Sequence, residues 1–279
     1  MGWPKSMLCF VGGALGAGAG AALTYRLLTE RWHVSVTRAT FGIRGLPEEL
    51  EGLVIAHLSD FHVGPETPVD FVEGVVERTN RLQPDLVVLT GDYVDDEEGD
   101  LEGCAAALGR LSAPGGVYAI LGNHDYLHGA EGVAAVLSER GIRVLRNESV
   151  AIGPGARKLW IVGLDDTAGH REEFRAAMAG VPEGEPVIVL SHSPDVLPRG
   201  AELGVSVVLA GHTHGGQVRI PGLGAPHAPT GIASRFTMGS ARIGNARLHV
   251  TRGIGMTLFP VRLCCPPEIG LFTLQGTVR

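Results

Sequence analysis

The sequence predicts an α/β fold, and three observations support this prediction. Residues 33–43 alternate in polarity as a first strand does. Amphipathic stretches with helical spacing lie at residues 68–82 and 130–141. Six apolar, β-branched runs each stop abruptly in polar residues, and they cover residues 53–62, 85–95, 116–126, 159–166, 186–195 and 205–214. Strands that alternate with helices predict at least one largely parallel sheet, with functional groups outside the carboxyl ends of its strands.

The composition is that of a globular protein. The 279 residues are 44% hydrophobic and 19% charged. A formal net charge of −7 provides no long-range attraction for nucleic acid, so no nucleic-acid binding is expected. Cys9, Cys104, Cys264 and Cys265 show neither the paired spacing of a metal site nor a disulfide-dense pattern. We therefore interpret them as small buried side chains.

The N-terminus contains a segment without charged residues. Met7 to Tyr25 is nineteen residues long and is bounded by Lys5 and Arg26. Such a length suits a helix that spans a bilayer, so we predict a single N-terminal membrane anchor within residues 1–32. A cleaved signal peptide, and with it an exported protein, remains the alternative. Residues 33–279 are predicted to form one catalytic domain, and the charges beside the segment do not fix its side of the membrane.

Polar residues suited to metal binding follow the apolar runs. In chain order they are Asp60, His62, Asp92, Asn123, His124, His192, His212 and His214. Carboxylates, an amide and imidazoles without a thiolate suit Mn²⁺, Fe²⁺ or Zn²⁺. More than four candidate ligands predict two ions, and Asp92 is able to bridge them through its two oxygens. Gly91, Gly122 and Gly211 are expected to let the backbone turn where each strand delivers its ligand.

The order of these motifs resembles a known family. The run D-x-H, G-D, G-N-H-D, H and G-H-x-H over residues 52–217 resembles the calcineurin-like metallophosphoesterase superfamily. G-G-Q after the histidine pair, TRGIG (residues 251–255) and CPPEI (residues 265–269) are similar to the bacterial subgroup of membrane-associated or exported phosphodiesterases of the YkuE and YaeI type. The resemblance implies an α/β/β/α sandwich of two mixed sheets flanked by helices, here with an N-terminal hydrophobic helix.

The resemblance also implies a role for each motif residue. One divalent ion would be held by Asp60, His62, Asp92 and His214, and the other by Asp92, Asn123, His192 and His212. A hydroxide that bridges the two ions would attack phosphorus in line, and His124 would protonate the departing oxygen. Asp125 would support the loop of His124. Arg252 in TRGIG is a candidate contact for the phosphate, and a salt bridge is its alternative role.

These implications lead to a dinuclear metal-dependent phosphodiesterase at the bacterial cell membrane. The expected substrate is a phosphodiester or pyrophosphate, with lipid-linked and cell-envelope compounds as the candidates. One alternative is a UDP-2,3-diacylglucosamine pyrophosphohydrolase of lipid A synthesis. An alternative of another class is a non-catalytic scaffold with the same fold, which the complete set of ligand positions disfavours.

The remaining acidic and histidine residues are interpreted as structural. Asp165 and Asp166 end a strand without a matching ligand role. The residues outside the motifs that we expect in solvated loops or structural positions are Asp95, Asp96, Glu97, Glu98, His57, His128, His170 and His227.

Overall fold

Twelve strands make up the sheets in the part of the chain that the structure describes. This computed structural model describes residues 20, 24–27, 29–95, 99–166, 169, 171–227, 236–257 and 259–277. The strands are β1 (Ser35–Arg44), β2 (Val54–Leu58), β3 (Leu86–Leu89), β4 (Val117–Ala119), β5 (Arg143–Val144), β6 (Glu148–Ile152), β7 (Leu159–Gly163), β8 (Val187–Ser191), β9 (Val207–Ala210), β10 (Gly239–Ile243), β11 (Ala246–Val250) and β12 (Glu268–Thr277). All six apolar runs of the sequence become strands, and so does the alternating segment that precedes them.

The strands form two six-stranded sheets. The first sheet has the order β1-β12-β2-β3-β4-β5, and the second has the order β10-β11-β9-β8-β7-β6. In the first sheet β2 to β5 are parallel, whereas β12 runs antiparallel to β2 and parallel to β1. In the second sheet β7, β8, β9 and β11 are parallel, with β6 and β10 antiparallel at the edges. Both sheets are therefore mixed, which confirms the prediction.

Helices cover the outer faces of both sheets. They are α1 (Val69–Arg81), α2 (Leu101–Leu108), α3 (Asn123–His128), α4 (Ala130–Glu139), α5 (Phe174–Ala177) and α6 (Leu197–Glu202). Helix α1 buries Val72, Val75, Val76 and Thr79, a spacing that places all four on one helical face. These valines join a core cluster with Ala56 of β2, and Leu197 of α6 joins another with Val208 of β9.

A third core cluster lies between the two sheets. Ile55 and Leu86 from the first sheet pack with Ile188 and Leu209 from the second, and each is at most 1% exposed. Burial of each of these side chains contributes roughly 1.5–3 kcal/mol. Because strand side chains alternate between faces, His57 points to the same side of β2 as Ile55 and enters this layer. His57 is therefore a buried polar residue in the layer between the sheets, close to the end of β2 that the motif residue Asp60 follows.

The transmembrane assignment needs correction. Within the described residues, no helix has the length and apolar character needed to cross a membrane. The longest described α-helix, α1, has 13 residues, whereas a span needs about 20. The predicted anchor, Met7 to Tyr25, lies outside the described residues except at positions 20, 24 and 25. The division of the chain into residues 1–32 and 33–279 stays a prediction.

Candidate metal centre

The motif residues lie on one rim, where the parallel strands of both sheets end. Asp60 follows β2, Asp92 follows β3, and His192 follows β8. The backbone itself is unusual at several of these positions. Positive φ angles occur at Asp60 (53°), His62 (42°), Asp92 (56°), His212 (70°) and His214 (50°). A left-handed residue other than glycine costs roughly 1–2 kcal/mol, so strain is concentrated at the candidate ligands.

The glycines beside the ligands do not all serve the purpose that we expected. Gly91 has a φ of +93° and makes the sharp turn that the sequence predicts. Gly122 has a φ of −107°, which any residue adopts. A Cβ atom there would collide with the Asp92 carboxylate, and one on Gly211 would collide with the Asp60 carboxylate. At these two positions glycine is required because the carboxylates pass close to the backbone.

Asp60, His62 and His214 form the first group of candidate ligands. One potential ligand atom from each lies within 4.8 Å of the others. His214 Nε2 is 3.1 Å from His62 Nε2 and 3.5 Å from Asp60 Oδ1. All three side chains are buried. Two imidazole nitrogens and a carboxylate oxygen therefore face one small volume.

Asp92, His192 and His212 form the second group of candidate ligands, and one potential ligand atom from each again lies within 4.8 Å of the others. His192 Nε2 lies 3.1 Å from Asp92 Oδ2, and His212 Nδ1 lies 3.2 Å from His192 Nε2. Asp92 Oδ2 is also 3.4 Å from His62 Nε2 of the first group. Asp92 thus stands between the two groups, where a bridging ligand would have to be.

Helix α3 brings Asn123 and His124 to the same rim. The His124 backbone N–H donates a 2.9 Å hydrogen bond to Asp92 Oδ1. The His124 ring stands nearly perpendicular to the His62 ring, with 4.7 Å between their centroids. Asn123 Oδ1 is buried and has no hydrogen-bond partner among the described residues. The structure therefore brings all eight motif residues together, and their individual roles remain predictions.

Asp125 supports this arrangement from below. Its carboxylate accepts hydrogen bonds from the backbone N–H groups of Asp92 (2.8 Å), Tyr93 (2.9 Å) and Gly122 (2.7 Å). It therefore ties the turn after β3 to the start of α3. Burial, followed by the negative charge of Asp92, raises the pKa of Asp125 to about 7. Loss of this carboxylate would leave three buried N–H groups without a partner.

The charges of the rim are those of a cation site. Burial lowers the pKa of His62 and His192, but the nearby carboxylates outweigh it and raise the values to about 9 and about 10. Burial, followed by the charge of His192, lowers the pKa of His212 to about 4. Protons on His62 and His192 thus provide positive charge that bound metal ions would replace.

Unsatisfied atoms test the fit to metal ions independently. Asp60 Oδ2 and Asn123 Oδ1 are buried without a hydrogen-bond partner among the described residues. Such atoms are rare in native proteins, and an absent ion is one of their recognised causes. The oxygen and imidazole donors therefore fit one or two divalent ions of the Mn²⁺, Fe²⁺ or Zn²⁺ type.

Asp95, an acidic residue outside the motifs, lies next to the candidate ligands. Asp95 Oδ1 lies 3.8 Å from His62 Nδ1, and Asp95 groups with His62 and His124 within the same 4.8 Å limit. The Asp95 side chain is 38% exposed, as expected for a solvated loop, and its carboxylate also lies next to His62 on the rim. Val94 pairs with Val63 in a short parallel bridge, which extends the strand pairing and carries Asp95 to the rim. The rest of that predicted loop, residues 96–98, lies outside the described residues.

Arg252 forms the salt bridge that was its alternative role. Its Nε donates to Glu268 Oε2 at 3.0 Å, and its Nη2 donates to the Ser35 hydroxyl at 2.8 Å. These contacts join the end of β11 to β12 and β1. A contact of Arg252 with phosphate stays a prediction.

A second group of buried histidines lies between the sheets. His57 Nε2 is 2.9 Å from Thr90 Oγ1, and His249 Nδ1 is 3.3 Å from Ser240 Oγ. Their ring centroids are 6.2 Å apart, and the Phe272 ring packs against both. His249 Nε2 lies 3.6 Å from Glu268 Oε1. His57 thus has the structural position expected for it, and His249 is a residue for which the sequence provides no signal.

Comparisons with known proteins relate the chain to one family of phosphoesterases. The profile of a family described as calcineurin-like phosphoesterase matches residues 53–216. The chain is 32% identical over 275 residues to the uncharacterized metallophosphoesterase YkuE of Bacillus subtilis, covering 95% of each protein. It is 32% identical over 225 residues to phosphodiesterase YaeI of Escherichia coli, covering 79% of this chain and 81% of that protein. A dimetal phosphatase from Danio rerio aligns with 75% of this chain and 90% of its own, with a TM-score of 0.47 and 14% identity.

Proposed function

The chain belongs to the calcineurin-like phosphoesterase family, and we propose that within this family it is a dinuclear phosphodiesterase. Membership makes it a metal-dependent phosphoric ester hydrolase, since the family profile covers most of the domain and the relatives match nearly the whole chain. The relative YaeI is named a phosphodiesterase, which supports the choice of a diester over a monoester.

One observation carries the proposal more than any other. Two groups of ligand atoms meet at Asp92, whose Oδ2 faces His62 on one side and His192 on the other. Two divalent ions held there would supply an activated water and neutralise the charge of the phosphate oxygens. Asp60, His62 and His214 would hold the first ion, and Asn123, His192 and His212 would hold the second, with Asp92 shared.

His124 is the proposed general acid. Its backbone is fixed by Asp92, and its ring stands beside His62 at the edge of the centre. As the phosphorus–oxygen bond breaks, its electron pair moves to the leaving oxygen, which takes a proton from the His124 imidazolium. Such a proton transfer contributes roughly 10²–10⁴-fold to the rate of a hydrolase.

Because the chain belongs to a family of phosphoesterases, its substrate is expected among the esters and anhydrides of phosphate. A phosphodiester is the leading candidate, and the pyrophosphate bond of UDP-2,3-diacylglucosamine is the alternative to be tested beside it. A lipid-linked or cell-envelope origin of the substrate and a location at the cell membrane stay predictions.

The first experiment measures Mn²⁺-dependent hydrolysis of an aryl phosphodiester by the purified full-length chain. We expect Asp92→Asn to abolish both hydrolysis and binding of two ions, because the bridging oxygen loses its charge. Residues that merely support a metal ligand typically contribute about 10–100-fold, so the loss should exceed that range. Asp70→Asn, the same change on an exposed residue at the start of α1, is the matched control.

The outcomes distinguish the competing functions. Hydrolysis that a chelator and Asp92→Asn both abolish supports the proposal, and a panel with the UDP-sugar pyrophosphate then tests the alternative. A folded protein that binds no metal and cleaves neither substrate would instead be a scaffold.

A further inference from the structure

Tyr126 links the short helix of His124 to the loop that follows β7. The Tyr126 hydroxyl donates a 2.6 Å hydrogen bond to Asp165 Oδ1. Arg146 closes the arrangement, because its Nη2 donates to the same hydroxyl at 3.0 Å and its Nε donates to Asp165 Oδ2 at 3.3 Å. Asp165 follows a strand of the second sheet, whereas α3 follows a strand of the first. The contact therefore crosses from one sheet to the other beside the metal centre.

The face of the Tyr126 ring is also in contact with a charged side chain. The Arg171 guanidinium lies 4.0 Å from the ring centroid, a favourable distance for a cation–π contact. Arg171 Nη1 in turn donates to Asp166 Oδ2 at 2.9 Å, and Gly169 N–H donates to the same oxygen at 2.8 Å. Asp165 and Asp166, which follow β7, thus have a structural role instead of a ligand role. Asp165 binds the hydroxyl of Tyr126, and Asp166 holds the Arg171 guanidinium on the face of its ring.

Helix α3 depends on such contacts because it is short. It has six residues and ends at Gly129, whose φ of 118° stops the helix. Asp125 attaches its inner side to the turn of Asp92, and Tyr126 attaches its outer side to the loop after β7. Burial, followed by the hydrogen bond to Asp165, raises the pKa of Tyr126 to about 12, so its hydroxyl remains a donor at neutral pH.

We propose that Tyr126 is a positioning residue, which acts through the Tyr126–Asp165 hydrogen bond to set the direction of the His124 ring. His124 precedes Tyr126 by two residues on the same helical turn, so a rotation of α3 moves both side chains together. This inference rests on the proposed role of His124 as general acid. A small displacement of an acid matters most when the leaving oxygen cannot depart without a proton.

The test is Tyr126→Phe, which removes the hydroxyl alone, in the metal-loaded full-length chain. The two substrates are methyl 4-nitrophenyl phosphate and methyl phenyl phosphate, which differ only in the leaving group. Nitrophenolate departs unprotonated, whereas phenolate needs an acid. We expect kcat to fall about tenfold or more for the phenyl ester and less than about twofold for the nitrophenyl ester, with KM unchanged.

Tyr118→Phe is the matched control, because the Tyr118 hydroxyl donates to the nearby Gly115 carbonyl and not to the rim. It should alter neither substrate. An equal fall of kcat for both esters in Tyr126→Phe, a change confined to KM, or no change at all would overturn the inference.

A second measurement does not depend on turnover. In Tyr126→Phe we expect the backbone amides of α3 to exchange hydrogen at least about tenfold faster, while the bound metal content stays the same. Unchanged exchange would also overturn the inference. If the wild-type chain cleaves neither ester, the proposed function fails, and amide exchange still decides whether Tyr126 holds the helix.

Discussion

Two groups of histidines are equally buried in this molecule, yet only one of them has the geometry of a metal site. His62 and His192 on the rim are each 1% exposed, and His57 and His249 between the sheets are 0% and 1% exposed. The rim nitrogens face carboxylates and one another at 3.1–3.5 Å. The rings between the sheets instead meet hydroxyl groups, Phe272 and one carboxylate, Glu268, which lies 3.6 Å from His249 and is also paired with Arg252. Burial alone therefore does not identify a ligand, whereas convergence of nitrogen and carboxylate oxygen does.

The largest expected effect separates the two groups by metal content. His192→Asn should lose bound metal and activity, because an amide is a poorer donor than an imidazole and Asp92 loses its partner. His249→Asn, the same change between the sheets, should keep the full metal content. Elemental analysis of both purified variants checks this. Loss of metal from His249→Asn would break the comparison and make the inner pair part of the centre.

The second effect concerns pH and the inner pair. Burial, followed by the charge of His249, lowers the pKa of His57 to about 3 from its ordinary value of 6.5. Below pH 6.5, His57 is therefore protonated in the unfolded chain but stays neutral in the folded chain until the pH approaches 3. The stability from neutral His57 is complete above that pH and is lost as pH falls towards 3, by about 1.4 kcal/mol per pH unit.

The variant His57→Leu removes the contribution of His57 to the pH dependence of the free energy of unfolding. Between pH 7.5 and pH 5, wild type should lose about 2 kcal/mol more than His57→Leu in the free energy of unfolding. Urea denaturation of both chelator-treated proteins measures the difference, and the rim histidines contribute equally to each. Parallel pH curves would mean that the folded protein does not hold His57 neutral.

The smallest effect comes from a histidine that belongs to neither group. His33 is exposed and its backbone N–H caps the short turn of residues 30–32. His33→Asn should leave metal content unchanged and alter the free energy of unfolding by less than about 0.5 kcal/mol. A larger change, measured by the same urea titration, would show that the N-terminal turn contributes to the domain more than its exposure indicates.

The motif residues were predictable because the topology of a parallel sheet brings them together. Parallel strands deliver their carboxyl ends to one edge, so Asp60 and Asp92, read one after the other from the sequence, must meet in space. Strand β12 was not predictable, since it pairs with β1 and β2 from the far end of the chain. Local patterns report which residues form strands and not which distant strands become neighbours.

Apart from Asp125, the supporting residues were not predictable, for the same reason. Tyr126 and Asp165 are 39 positions apart in the chain, and neither has a residue type that indicates the other. Asp95 looked like the start of an acidic loop, and the neighbouring bridge between Val63 and Val94 brings it to His62. The reason for Gly122 and Gly211 also depended on contacts across the centre.

The left-handed backbone of the rim has an evolutionary consequence. Five candidate ligands occupy φ angles that glycine adopts without cost. Exchange of such a ligand for glycine would relieve roughly 1 kcal/mol of strain at the same moment that it damages the centre. Folded proteins retain such local strain where the surrounding structure imposes it and the function of a site requires it. At this rim, durability of the fold and performance of the enzyme are in direct competition.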